Sequence, residues 1–309
     1  MSSPSKGLIF AAFVLLAGCA SNETDLTPKI ISDVARSETA HINTKLLLAQ
    51  GEKSLIAGDD KAAYASFAQV LQKDSGNAEA LAGLGESLLI GREPKKALSV
   101  FAKLEQQPDH KAVADQGQGL ALLAMGDYAN AEALLDKAVK QDPQLWRSWN
   151  ALGTIKDHGG LWTDARKDYD KALDINPDAV EAINNRGISY LWEKNYPEAE
   201  KAFKEVLRRS PNLAQARTNL RMALAWQGKY VEALTGVAKN DMPVVLNDVG
   251  YIAMKRGDFE FAEAYLAQAV QMSPSYYAKA ADNLEYLRQL KRERAQKAKK
   301  ADIILEKKN

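Results

Sequence analysis

The stretch Trp149–Pro177, WNALGTIKDHGGLWTDARKDYDKALDINP, reads as two short helices folded back on one another. Trp149, Leu152, Gly153 and Lys156 fall on one face of the first helix, at the three- and four-residue spacing of an α-helix. Gly160 breaks the run. Trp162, Ala165, Tyr169 and Ala172 share one face of the second helix. Gly153 and Ala165 carry little or no side chain, so they let two antiparallel helices approach closely. Pro177 ends the second helix, because it lacks an amide donor and clashes with the preceding turn.

The unit recurs along the chain. Glycine stands at Gly51, Gly85, Gly119, Gly153 and Gly187, each 34 residues after the last. Alanine stands at Ala63, Ala97, Ala131, Ala165, Ala199 and Ala233 with the same step, and one shorter step of 29 then gives Gly250 and Ala262. Tyr128, Trp162, Tyr196, Tyr230 and Phe259 precede that alanine by three, and Pro143, Pro177, Pro211 and Pro274 close repeats. A 34-residue period with this W…LG…Y…A…F…A…P pattern is the tetratricopeptide signature. It covers roughly Thr44 to Tyr276. The expected fold class is all-α: a tetratricopeptide-repeat solenoid of about seven helix-turn-helix repeats and a C-terminal capping helix.

The repeats are placed at 44–77, 78–111, 112–145, 146–179, 180–213, 214–242 and 243–276. The sixth departs from the pattern. Arg221 replaces its glycine, LTGVAKNDM replaces the end of its second helix, and five residues are missing. Repeats contact only their neighbours, so this either bends the solenoid locally or is a tolerated deletion. Residues 277–300 read as the capping helix, with Ala281, Leu284 and Leu287 on its apolar face. Residues 301–309 form a basic tail. From 291 to 309 there are eight Lys/Arg against three Asp/Glu, a local +5, which reads as a solvated helix end or as a contact for anionic lipid or an acidic partner.

Before the repeats, Lys6 and the apolar run Leu8–Ala17 are too short to span a bilayer and read as a signal peptide over 1–18. The run ends Leu16-Ala17-Gly18-Cys19, which resembles a bacterial lipobox. That resemblance implies cleavage before Cys19 and covalent lipid on its thiol. Cys19 is the single cysteine of the chain, so no intramolecular disulfide forms. Acyl chains at about 0.8 kcal/mol per buried CH₂ hold such a protein on a membrane. Ala20 and Ser21 follow the cysteine. The aspartate associated with inner-membrane retention is absent there, so the expected location is the outer membrane, periplasm-facing. Residues 19–43 are expected to form a tether spanning about 25–30 Å, flexible to about Pro28 and then a short frayed helix.

The chain is 46% hydrophobic with a formal net charge of +1, so no global field draws it to nucleic acid. His41, His110 and His158 form no HExxH pair, and there is neither a GxSxG elbow nor a phosphate-cradling loop. No cofactor, metal, catalytic residue or small-molecule substrate is expected, and an enzyme reading lacks an acid, base or nucleophile.

What remains is the concave surface, lined by the first helix of each repeat. Its fifth positions are Leu48, Ala82, Gln116, Asn150, Asn184, Thr218 and Asn247. Asn150, Asn184 and Asn247 form a candidate ladder. An amide both donates and accepts, so it can grip an extended peptide by its backbone; alternatively these side chains are solvated or bridge neighbouring repeats. Ile188, Leu191, Trp192, Met222, Trp226, Tyr251 and Met254 add apolar groove positions suited to a peptide. Trp192 and Trp226 lie near helix ends, where packing against adjacent helices is the competing use.

Among lipid-anchored tetratricopeptide proteins, the chain resembles the TadD-type lipoproteins of tight-adherence (Flp) pilus systems. The residues that carry the resemblance are Leu16–Cys19, the repeats, and the stretch Asn247–Leu287, NDVGYIAMKRGDFEFAEAYLAQAVQMSPSYYAKAADNLEYL. It implies a non-enzymatic scaffold that helps assemble or localise an outer-membrane secretin or other pilus-assembly components. The alternatives are an adaptor for peptidoglycan-remodelling enzymes and a member of the outer-membrane protein assembly machinery.

Overall fold

The computed structural model describes residues 28–272 and 277–306. Cys19, the signal peptide and the start of the tether lie outside the described residues. Among the described residues fifteen α-helices follow one another: α1 (Pro28–Ile56), α2 (Asp60–Lys73), α3 (Ala78–Ile90), α4 (Pro94–Leu104), α5 (Lys111–Ala124), α6 (Tyr128–Gln141), α7 (Trp146–His158), α8 (Trp162–Ile175), α9 (Val180–Trp192), α10 (Tyr196–Arg209), α11 (Ala214–Trp226), α12 (Tyr230–Leu234), α13 (Met242–Arg256), α14 (Phe259–Met272) and α15 (Tyr277–Glu306). No strand occurs among the described residues.

Helix starts follow from local chemistry. Asp59 and Asn77 accept hydrogen bonds from the backbone amides of Ala62 and Ala80, each at 3.0 Å, and so cap α2 and α3. Proline occupies the first turn of α4, α10 and α13, where a missing amide costs nothing. The turn inside each pair needs one left-handed residue. It falls at Gly58, Arg92, Gly126, Gly160, Lys194 and Gly228, again 34 apart, and at Gly257. Arg92 and Lys194 hold that conformation despite a side chain, at φ 59° and 68°.

Within each pair the approach is too close for a side chain at the signature glycine. A Cβ on Gly153 would lie 2.7 Å from the Tyr169 ring, and one on Gly85 would lie 2.4 Å from Phe101. Ala165, Tyr169 and Ala172 are buried against α7, and Phe101 is fully buried between α3 and α5. Burying a side chain of this size stabilises by about 1.5–3 kcal/mol.

Odd-numbered helices also touch one another in series, α1 with α3, α3 with α5, and onward to α13 with α15, whereas the even-numbered helices do not pack on each other comparably. The odd helices therefore form the inner layer, and the even ones the outer layer. This is an all-helical tetratricopeptide-type solenoid.

Two elements differ in extent from the sequence reading, and the truncated second helix of the sixth repeat is found as expected. α1 runs unbroken from Pro28 to Ile56, through the boundary placed at Thr44; no glycine or proline lies between Lys29 and Gln50 to stop it. α15 continues to Glu306, beyond position 300. α12 has only five residues. The last helices compensate for that short helix by sharing one core, in which Leu224, Tyr230 and Ala233 pack with Val249, Ile252, Leu266, Leu284 and Leu287.

Candidate partner-binding groove

Polar side chains run along the inner layer, and most of them hold consecutive repeats together. Asn185 donates to Asn150 Oδ1 at 3.0 Å, Asn219 to Asn184 Oδ1 at 3.5 Å, and Asn283 to Asn247 Oδ1 at 2.9 Å. The first two rungs join the fifth position of one inner helix to the sixth of the next, 35 residues on, and the third spans 36 residues. Asn184 is buried and Asn247 is 1% exposed. Asn247 also donates to Asp248 at 3.2 Å. The amide oxygens of all three ladder residues thus accept from the next inner helix. A buried amide without a partner is costly, and the neighbouring asparagine supplies that partner.

The rungs begin at α7, and within the run from α7 to α15 one is missing. Between α11 and α13 the equivalent residues are Thr218 and Asp248. Thr218 instead donates to the Ala214 carbonyl at 3.2 Å within its own helix. Here the inner layer opens into a recess of about 100 Å³ lined by Thr218, Arg221, Met222, Val244, Val245, Asp248, Val249 and Ile252. Its walls are α11 and α13, the inner helices on either side of the shortened pair. Arg221 stands in the α11 wall at the position that the other repeats give to glycine.

The apolar residues expected in the groove divide in two. Met254 is 3% exposed and belongs to the core, so it does not line the groove. Trp226 stacks on Tyr196, ring centroids 5.6 Å apart and planes 6° from parallel, and its carbonyl accepts from Arg256. It is a packing residue. Ile188 and Leu191 pack on Ala199, Phe203 and Ala223. Trp192 is 50% exposed and, with Ile188 and Asn185, edges a second recess of about 140 Å³. Tyr251 is 40% exposed, with Lys255 Nζ 5.2 Å from its ring centroid and 5.9 Å from that of Tyr286. Trp192, Met222 and Tyr251 therefore remain at the inner surface.

Two further networks join repeats. Asp157 accepts from Tyr169 Oη at 2.9 Å and from Ser189 Oγ at 2.7 Å, tying α7 to α8 and α9. Burial pushes its carboxyl up, against the pull of those two donors. Glu200 is also buried, which alone would raise it, but hydrogen bonds from Lys204, Lys229 and Gln227 prevail and hold it at about 2. The donors Asn185, Asn219 and Asn283 stand outside the fifth-position series read from the sequence. The adjacent pair Asn184-Asn185 was a signal for them, since neighbouring positions face successive repeats. Among the described residues, no group of three or more His, Cys, Asp or Glu side chains is placed to hold a metal ion.

The family model described as tetratricopeptide repeat protein 21 C-terminal ARM domain matches residues 25–222, and a tetratricopeptide repeat model matches 245–276. No curated protein matches the chain. Among solved structures, the chain is similar to TTC0263, a thermophilic TPR protein of Thermus thermophilus. The identity is 20% and the TM-score 0.53, over 59% of this chain and 98% of that one. It is also similar to the APC/C hetero-tetramer Cut9-Hcn1, at 16% identity and TM-score 0.59, over 81% of this chain and 52% of that one. YrrB, a TPR protein with an unusual peptide-binding site, matches at 18% identity and TM-score 0.41, over 70% of this chain and 96% of that one.

Proposed function

The chain belongs to the tetratricopeptide-type family of the tetratricopeptide repeat protein 21 C-terminal ARM domain, and from that premise we propose that it is a non-enzymatic scaffold binding protein partners along its inner layer. The observation that carries the reading is the exposure of large apolar side chains on inner helices that are themselves rigidly paired. Trp192, Tyr251 and Tyr286 stand out from α9, α13 and α15 while the residues beneath them are buried. Exposed aromatic groups on a stiff surface bind at low conformational cost.

The finer reading adds an anchor and a setting. Cys19 carries lipid, and the solenoid sits on the periplasmic side of the outer membrane. The lipobox Leu16–Cys19 supports the anchor, and no helix among the described residues is long and apolar enough to cross a membrane. The resemblance of Asn247–Leu287 to TadD-type lipoproteins supports a part in assembling the secretin or pilus of a tight-adherence system. Crosslinking the protein in its own cells and identifying what copurifies tests this. Secretin or pilus-assembly proteins are the expected recovery. Cell-wall hydrolases or barrel-assembly factors would keep a scaffold and overturn the pilus assignment. Cys19→Ser should move the protein out of the membrane fraction with its helicity intact, and unchanged retention would overturn the anchor.

A further inference from the structure

The interrupted rung has a charge pattern that sets it apart from the rest of the solenoid. Five arginines are half-buried among the described residues: Arg147, Arg166, Arg186, Arg209 and Arg221. Four of them meet a carboxylate. Arg147 pairs with Glu86 at 2.6 Å, Arg166 with Glu193 at 2.9 Å, Arg186 with Asp170 at 2.6 Å, and Arg209 with both Glu205 and Asp178. Arg221 meets none. Burial, and then the like charge of Arg217 one turn away, push its guanidinium below the ordinary range; Asp241 opposes them from a distance. Arg217, exposed on the same face, also has no ion pair.

A half-buried guanidinium without a carboxylate is unfavourable, because lost hydration is not replaced. Beside it the recess offers Met222, Val244, Val245, Val249 and Ile252. The acid on the opposite wall, Asp248, is turned to Asn247 at 3.2 Å and to Lys279 at 3.9 Å rather than to Arg221. The site therefore lacks two things: an apolar group of roughly one branched side chain in size, and an anion beside it.

We propose that the interrupted rung between α11 and α13 docks an acidic partner peptide, whose one branched apolar side chain fills the recess while a neighbouring carboxylate pairs with Arg221 and Arg217. This rests on the scaffold reading and gives it a place and a chemistry. Thr218 and Asp248 do not bond across the gap, so the peptide enters without displacing an inter-repeat hydrogen bond. Five residues missing from the outer layer let α11 and α13 meet differently from the other inner helices. The sixth repeat is then the docking repeat rather than a defect.

The test uses the chain as it stands and three end-blocked, fluorescein-labelled peptides, read by anisotropy. The first, Gly-Ser-Asp-Leu-Glu-Ser-Gly, carries both features. The second has serine for the leucine, and the third has asparagine and glutamine for the acids. The first should bind saturably and about tenfold or more tighter than either of the others. Its binding should weaken as NaCl is raised from about 50 to about 500 mM. Arg221→Gln should erase the preference for the acidic peptide, Arg221→Lys should keep part of it, and Arg217→Gln, a change at an exposed position, should reduce it. No saturable binding, equal binding of all three peptides, or undiminished binding to a folded Arg221→Gln chain would overturn the proposal. So would self-association lost in Arg221→Gln without peptide binding, which would assign the recess to a second copy. Partner capture from cells that Arg221→Gln leaves unaltered would remove the recess and leave the scaffold standing. Failure of the wild type to capture any partner would remove the scaffold, and the titration would still decide the recess.

Discussion

Asn283 is a half-buried residue on the last helix, and its removal should cost more than its exposure implies. Its amide is the donor for Asn247 Oδ1 at 2.9 Å, and Asn247 is 1% exposed. Asn283→Ala leaves that buried oxygen without its donor, at a cost of about 1–3 kcal/mol. An ordinary surface substitution stays within about 0.5 kcal/mol. Asn247→Ala is different. It releases the Asn283 amide and the exposed Asp248 carboxylate, both of which water can reach, so in that background Asn283→Ala should add almost nothing. The effect should be local, because a solenoid opens from its ends. Hydrogen exchange at the amides of Leu284–Leu290 is therefore the assay. Asn283→Ala alone should speed exchange there roughly 5- to 150-fold. The double variant should match Asn247→Ala. A single-variant change under about threefold, or fully additive effects, would refute the claim that the rung clamps α15.

Glu200 gives a pH dependence with a definite sign. Its folded value of about 2 lies below the ordinary 4.5, so the stabilisation is present above about pH 4.5 and is lost as pH falls towards 2. Its lysine partners are half exposed, so screening reduces the effect to about 1–2 kcal/mol; urea unfolding of Glu200→Gln should show a correspondingly flatter acid limb. Lys194→Gly relieves a left-handed residue and should raise stability by about 0.5–1 kcal/mol, read as a higher melting temperature. Gly153→Val should destabilise by at least about 1–3 kcal/mol, since its Cβ would overlap the Tyr169 ring; a melting temperature equal to wild type would contradict the close approach.

The period was legible because the same contact repeats. Gly153 against Tyr169 and Gly85 against Phe101 are one solution used again, and each copy leaves its mark in the sequence. The truncated sixth pair was legible for the same reason, as a step of 29 in a series of 34. The fate of the ladder was not legible. Asn150, Asn184 and Asn247 stand at groove positions by count, but whether an amide faces a ligand or a neighbour depends on where the next helix lies. A one-residue difference of register decides it, and periodicity does not resolve one residue. Trp226 and Met254 illustrate the same limit: an apolar residue near a helix end turns inward or outward according to what the adjoining repeat brings, here Tyr196 and the shared C-terminal core. Arg221 was visible as a departure from glycine, but its isolation from every carboxylate emerges only in three dimensions.

The asparagine rungs also carry an instruction about length. α9 alone holds both halves of a rung, Asn185 reaching back to Asn150 and Asn184 receiving Asn219. A tandem copy of residues 180–213 would place its own Asn185 opposite the original Asn184, the same chemistry as the junction it replaced. The unit is in that sense self-compatible, like a tile whose two edges match. Each added tile would lengthen the solenoid by about 16–20 Å of contour. The pair built on α11 has no such freedom: Thr218 and Asp248 match neither edge, so it can end a run of tiles but cannot be copied into one. Gene duplication, or an engineer, can therefore extend this molecule ahead of α11 and must leave the junction behind it untouched.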